Sequence, residues 1–202
     1  MADKNSIIIN LFGAPGAGKS TLAAALFADL KCCGFNCELV TEYAKDLTWA
    51  KRFGELKVQP YIFGKQMLRI ERVVNQVDYI ITDSPLLLSL IYTNNEWPES
   101  YRQAVHDIFC NYNNINFLLR RYKPYNQAGR NQTEEESDNI HTELRKLLLA
   151  YNVSYTELIS STPERLVRDI KANVPLTYGV PAGYNGGETE HKINLKIYEG
   201  EE

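Results

Sequence analysis

Residues 13 to 20 read Gly13-Ala14-Pro15-Gly16-Ala17-Gly18-Lys19-Ser20, which is the spacing G-x-x-x-x-G-K-[ST] without a mismatch. The spacing has a mechanical purpose. Glycines let backbone N–H groups converge on phosphate oxygens, and a helix that starts behind them adds the positive end of its dipole. Lys19 is expected to bridge the β- and γ-phosphates of ATP, and the Ser20 hydroxyl to join the shell of a Mg²⁺ ion. Thr21 belongs to the same first helical turn. The context fits: the apolar run Ile7 to Phe12 precedes the loop, and the helix-forming stretch Ser20 to Ala28 follows it.

Two carboxylates follow apolar runs in the same way. Asp83 closes Tyr79-Ile80-Ile81-Thr82. A strand ending in a carboxylate is suited to holding Mg²⁺, directly or through water; the plainer reading is a cap for a helix opening at Pro85. Glu42 follows Glu38-Leu39-Val40-Thr41. A carboxylate there can orient a hydroxyl nucleophile and take its proton, or can serve only as an acid favoured by a helix dipole. The sequence does not separate Glu42 from Asp83 as the base.

Arg120, Arg121 and Arg130 lie in a polar loop after a further apolar run, with Gly129 beside Arg130. Planar guanidinium groups offset the charge spread over a transferring phosphoryl group, and a loop carrying three of them suits a lid. Gln66 and Arg69 lie one helical turn apart, after Tyr61 and Phe63. Aromatic rings there could stack on a planar base while Gln66 reads its edge; rings at helical spacing also serve as core. Trp49 carries the same ambiguity. Tyr43 and Lys45, beside Glu42, complete the expected acceptor-binding group.

The elements that must position these residues alternate strand and helix, which predicts an α/β fold with a parallel sheet covered on both faces. Strands are expected near 6–12, 36–40, 79–82, 115–119 and 154–158. Helices are expected near 19–31, stopped by Gly34, and at 43–53, 61–77, 86–92, 99–110, 133–151 and from Pro163. A loop is expected at 54–60. Thr133 and Glu136 form a capping box, and Thr162-Pro163 opens the last helix. These elements make one domain over residues 1–173. From Val174 the pattern dissolves into Pro175, Gly179, Pro181, Gly183, Gly186 and Gly187, an irregular extension with one edge strand expected at 193–198. In a parallel sheet ligands sit beyond the carboxyl ends of the strands. Four such ends, at 13–20, 41–45, 83–85 and 120–130, all carry polar chemistry.

The chain has 202 residues and a formal net charge of -3, which suits one domain and excludes a protein that binds polyanions with its whole surface. The charge is uneven: residues 45–72 carry +4, residues 120–130 carry +4, and the stretch from Gly183 carries -3. Cys32, Cys33, Cys37 and Cys110 show no metal-ligand spacing and are expected as reduced thiols. With no membrane-length apolar run and no signal-peptide pattern, a cytoplasmic protein is expected. No histidine is given a role.

The segments Gly13 to Ser20, Glu42-Tyr43-Ala44-Lys45, Gln66, Asp83-Ser84-Pro85 and Gly129-Arg130-Asn131-Gln132, in this order, resemble the small P-loop kinases related to nicotinamide-riboside kinase domains. That group includes phage nucleotide kinases and kinases of 5-hydroxymethyluracil in DNA. The resemblance covers about residues 6 to 170. It implies a P-loop fold with a five-stranded parallel core, ATP with Mg²⁺, a carboxylate base after the second or third strand, and an arginine lid. It also implies a nucleoside, a nucleotide or a modified DNA base as acceptor, with no membrane and with self-association left open. A nicotinamide-riboside-type metabolite kinase is the alternative acceptor class. The alternative of another kind is a nucleotide-gated ATPase switch acting on a protein; motifs of GTPases (N-K-x-D) and of transporter ATPases (L-S-G-G-Q) are not found in the sequence.

Overall fold

The computed structural model describes residues 5–93, 97–121, 125, 133–159 and 162–176. Among them are β1 (Ile7–Phe12), α1 (Lys19–Cys32), β2 (Cys37–Val40), α2 (Tyr43–Trp49), α3 (Phe53–Leu56), α4 (Gln59–Glu71) and β3 (Tyr79–Thr82). They continue with α5 (Leu88–Ile91), α6 (Glu99–Cys110), β4 (Asn113–Leu119), α7 (Glu134–Ala150), β5 (Thr156–Leu158) and α8 (Pro163–Asn173). The sheet is five-stranded and parallel throughout, in the order β2-β3-β1-β4-β5.

β1 and β3 are apolar on both sides because both of their faces are covered. Ile9 and Leu11 pack with Leu22, Leu26 and Leu30 of α1 and with Leu166 and Ile170 of α8. Ile8 and Phe12 pack with Phe63 and Ile70 of α4, Val105 and Phe109 of α6, and Leu144 and Leu148 of α7. Val174 joins the first of these layers, and the Tyr79 hydroxyl donates to the Pro175 carbonyl at 2.9 Å. The chain is therefore still packed on the sheet beyond α8.

One buried polar ladder crosses the second face. Asn10 on β1 stands in register with Asn116 on β4, and Asn10 Nδ2 donates to Asn114 Oδ1 at 2.8 Å and to Asn116 Oδ1 at 3.0 Å. Asn116 Nδ2 in turn donates to the Ser154 carbonyl at 3.0 Å.

The structure corrects several expected boundaries. The helix expected at 43–53 ends at Trp49: Lys51 takes a left-handed backbone (φ 55°), and Lys51 N–H and Arg52 N–H close on the carbonyls of Thr48 and Leu47. This is the geometry that usually uses glycine as its stop. The expected loop 54–60 is instead the short α3 and the start of α4. The helix expected at 86–92 opens only at Leu88, with Leu87 as its cap, so Asp83 caps nothing there. The capping box at Thr133 and Glu136 is present in full. Of the thiols, Cys37 is buried and Cys32, Cys33 and Cys110 are exposed, with burial pushing the Cys37 thiol pKa up. The edge strand expected at 193–198 lies outside the described residues.

Candidate active site

All five strands run the same way, so the segments after Phe12, Val40, Thr82 and Leu119 emerge at one edge of the sheet. β1 is central there, with β3 on one side and β4 on the other. That edge collects the chemistry.

Gly13, Gly16 and Gly18 all have positive φ (157°, 81° and 100°). At Gly13 a side chain would also meet the Leu119 carbonyl at 3.0 Å and the Ala17 Cβ at 3.3 Å, so β4 itself closes this end of the loop. Gly18 sits at the N-cap of α1, and no side chain caps that helix. The N–H groups of its first turn thus remain for an anion. Lys19 Nζ donates to the carbonyls of Gly13 and Ala14 at 2.7 and 3.2 Å, lying back over its own loop. Ser20 and Thr21 are exposed.

Glu42 caps α2 with its backbone but makes no side-chain cap bond. Its carboxyl pKa is raised, first by burial; Lys19 pulls it back down and Asp83 pushes it further up. Glu42 thus lies within electrostatic reach of both Lys19 and Asp83, although each of the three comes from a different strand end. Asp83 is 3% exposed, and among the described residues its Oδ1 has no hydrogen-bond partner. A buried carboxylate oxygen without a donor suits a cation. Asp83 and the Ser20 hydroxyl are the residues that would hold Mg²⁺ alongside phosphate oxygens. No group of three or more His, Cys, Asp or Glu side chains that could hold a metal ion occurs among the described residues.

The side expected to take an acceptor lies at α2 and α4. Gln66, 3% exposed, accepts from the Tyr43 N–H at 2.9 Å and donates to the Thr41 carbonyl at 3.2 Å. Its amide therefore braces the backbone on both sides of Glu42. Arg69 donates to Thr41 (3.1 Å to its carbonyl), pairs with Asp46 and lies over the Tyr43 ring, 5.2 Å from its centroid. The Tyr43 and Tyr61 hydroxyls are 2.7 Å apart. Phe63 is core, packed edge-on against Tyr101, and Lys45 is exposed. Trp49 is not core: it is 67% exposed.

Arg121 Nη2 pairs with Glu134 at 3.0 Å and Asp138 at 2.8 Å, both at the start of α7, and its guanidinium lies over Tyr125. Arg120 is exposed, its N–H bonded to the Leu158 carbonyl at 3.0 Å. Arg130 lies outside the described residues.

Sequence reasoning missed Tyr92 and Ser137. The Tyr92 hydroxyl pKa is raised by desolvation and then by Glu42 and Tyr125, so this ring stands near the candidate base. A tyrosine closing the apolar run after Asp83 was its only local signal. Ser137 on α7 donates to the Pro15 carbonyl at 2.7 Å, a contact between residues 122 positions apart that no local pattern announces.

Residues 8–165 match the model of the AAA domain family. Among solved structures the chain resembles deoxyadenosine kinase from M. mycoides with bound dATP, at 20% identity and TM-score 0.51, covering 82% of this chain and 97% of that one. It also resembles the same enzyme with the products dCMP and a flexible dCDP bound, at 18% identity and TM-score 0.54, with the same coverage. At these identities the likeness is one of fold. No curated protein matches the chain.

Proposed function

We propose, from the premise that this chain belongs to the AAA domain family that its residues 8–165 match, that it is an ATP-dependent kinase transferring the γ-phosphoryl group to a hydroxyl of a nucleoside or nucleotide. The observation that carries the reading is the meeting of Lys19, Glu42 and Asp83 beside the phosphate loop, with the Glu42 carboxyl pKa raised by burial. A likeness in fold to a deoxyadenosine kinase supports it.

In this reading the loop Gly13 to Ser20 binds the phosphates, with Lys19 leaving its loop carbonyls for the β- and γ-oxygens. Asp83 and Ser20 would hold Mg²⁺, which when bound would draw charge from the phosphate oxygens. The acceptor enters between α2 and α4, near Tyr43, Lys45, Tyr61 and Tyr92. Glu42 accepts its hydroxyl proton as that oxygen bonds to the γ-phosphorus and the bond from phosphorus to the β-bridging oxygen breaks, leaving ADP. Arg120, Arg121 and Arg130 offset charge on the transferring group. A cytoplasmic location fits the need for ATP; as a separate fact, among the described residues no helix is long and apolar enough to cross a membrane.

A second acceptor class, a modified base within DNA such as 5-hydroxymethyluracil, has one observation in its favour. Trp49 and Phe53 are 67% and 50% exposed, and Lys51, Arg52 and Lys57 surround them in sequence. Exposed rings among cations suit stacked bases and a phosphate backbone.

The test is a screen with γ-labelled ATP against nucleosides, mononucleotides, nicotinamide riboside, and DNA with and without hydroxymethylated thymine positions. Label is expected in one acceptor class and absent with Lys19→Ala. ADP release that needs no acceptor, with label in none, would replace the kinase by a nucleotide-gated switch.

A further inference from the structure

We infer that Ser137 is a positioning residue for the phosphate loop, holding one loop peptide in the orientation that nucleotide binding needs. The inference rests on the kinase reading for its ligand and on geometry for its mechanism.

Ala14-Pro15-Gly16-Ala17 is a four-residue turn, closed by the Ala17 N–H on the Ala14 carbonyl at 3.1 Å. Gly16 has φ 81°. Proline at the second position and positive φ at the third are the marks of a type II turn. Proline and glycine also accept type I at these positions, and the two types differ by a flip of the central peptide, here Pro15–Gly16. The local sequence therefore leaves that peptide two orientations.

Ser137 removes the choice. It is 1% exposed, and its hydroxyl donates to the Pro15 carbonyl at 2.7 Å. A trans peptide is planar, with its C=O and N–H pointing opposite ways. Fixing the carbonyl on α7 therefore fixes the Gly16 N–H on the side away from α7. An N–H held in place before the ligand arrives needs no reorganisation on binding.

Ser137 does not act from an arbitrary place. Its helix turn begins at the Thr133 capping box, and Glu134 and Asp138 of the same turn hold Arg121. One helical turn thus fixes both the phosphate loop and the arginine that follows β4.

Titration calorimetry with ADP and Mg²⁺ on the full chain tests this. Ser137→Ala removes the hydroxyl while placing a good helix former in α7. ADP affinity should fall about tenfold, as for loss of one bond that orders a binding group. Ser137→Thr, which keeps a hydroxyl, should recover most of that loss. With an acceptor in hand, KM for ATP should rise in Ser137→Ala while kcat at saturation stays near wild type. Wild-type affinity in Ser137→Ala would overturn the inference alone. So would equal losses in both variants together with lowered melting temperatures, which would mark a purely structural role. A wild-type chain that binds no ADP would overturn the kinase reading itself, and the inference with it.

Discussion

Glu42 has a carboxyl that prefers its proton more in the folded chain than in the unfolded one, chiefly through burial and in part through Asp83. Two consequences follow from that sign. Between the unfolded pKa and the raised folded one, the native state binds more protons, so stability falls as pH rises through this window. The ionised form of this carboxyl is a net cost to the fold. Glu42→Gln is therefore expected to raise the melting temperature at pH 7 while lowering kcat by roughly 10²- to 10⁴-fold, the usual worth of a general base. The wild-type rate should climb with pH through an inflection above the ordinary glutamate range, and the variant should lose that inflection. A variant with an unchanged pH–rate profile would move the role of base to Asp83. The phosphate loop and both carboxylates could be read from the chain because each directly follows an apolar strand. Tyr92 and the bracing role of Gln66 could not, because both depend on which elements meet in space.

At the scale of elements, the ladder of Asn10, Asn114 and Asn116 ties β1 to β4, the strands that flank the phosphate loop and Arg120. Asn116→Ala removes one acceptor from Asn10 and the donor to the Ser154 carbonyl. Leaving such buried groups unpaired is expected to destabilise the chain by about 1–3 kcal/mol, seen as a lower midpoint in urea with unchanged slope. A neutral result would mean that water replaces the lost amide. Strands were legible as apolar runs because both faces of the sheet are covered, and α7 because its capping box is local. The break after Trp49 was not, because its left-handed stop is Lys51 rather than glycine. The late start of α5 was hidden by Pro85, which marks a helix opening only when the next residues follow it into the helix.

For the whole molecule, charge decides between acceptor classes. Residues 45–72 carry +4 against a net -3 for the chain. If the acceptor is DNA, binding should weaken steeply between about 50 and 200 mM salt, and Trp49→Ala should weaken it further through lost stacking, worth about 1–3 kcal/mol per base. A free nucleoside should show almost no salt dependence and no response to Trp49→Ala. Either result can be read by fluorescence anisotropy of a labelled oligonucleotide and by calorimetry with the nucleoside.

The placement of the four cysteines gives the molecule a built-in timer. Cys32, Cys33 and Cys110 lie outside, whereas Cys37 is sealed between β2 and α1. A maleimide pulse should modify the three exposed sulfurs early, Cys110 behind the other two because desolvation raises its thiol pKa, and the fourth only as fast as that edge of the sheet opens. Mass spectrometry over time then measures breathing of the native state beside the strand that delivers Glu42. A nucleotide that tightens this edge should slow the final modification and leave the first three untouched.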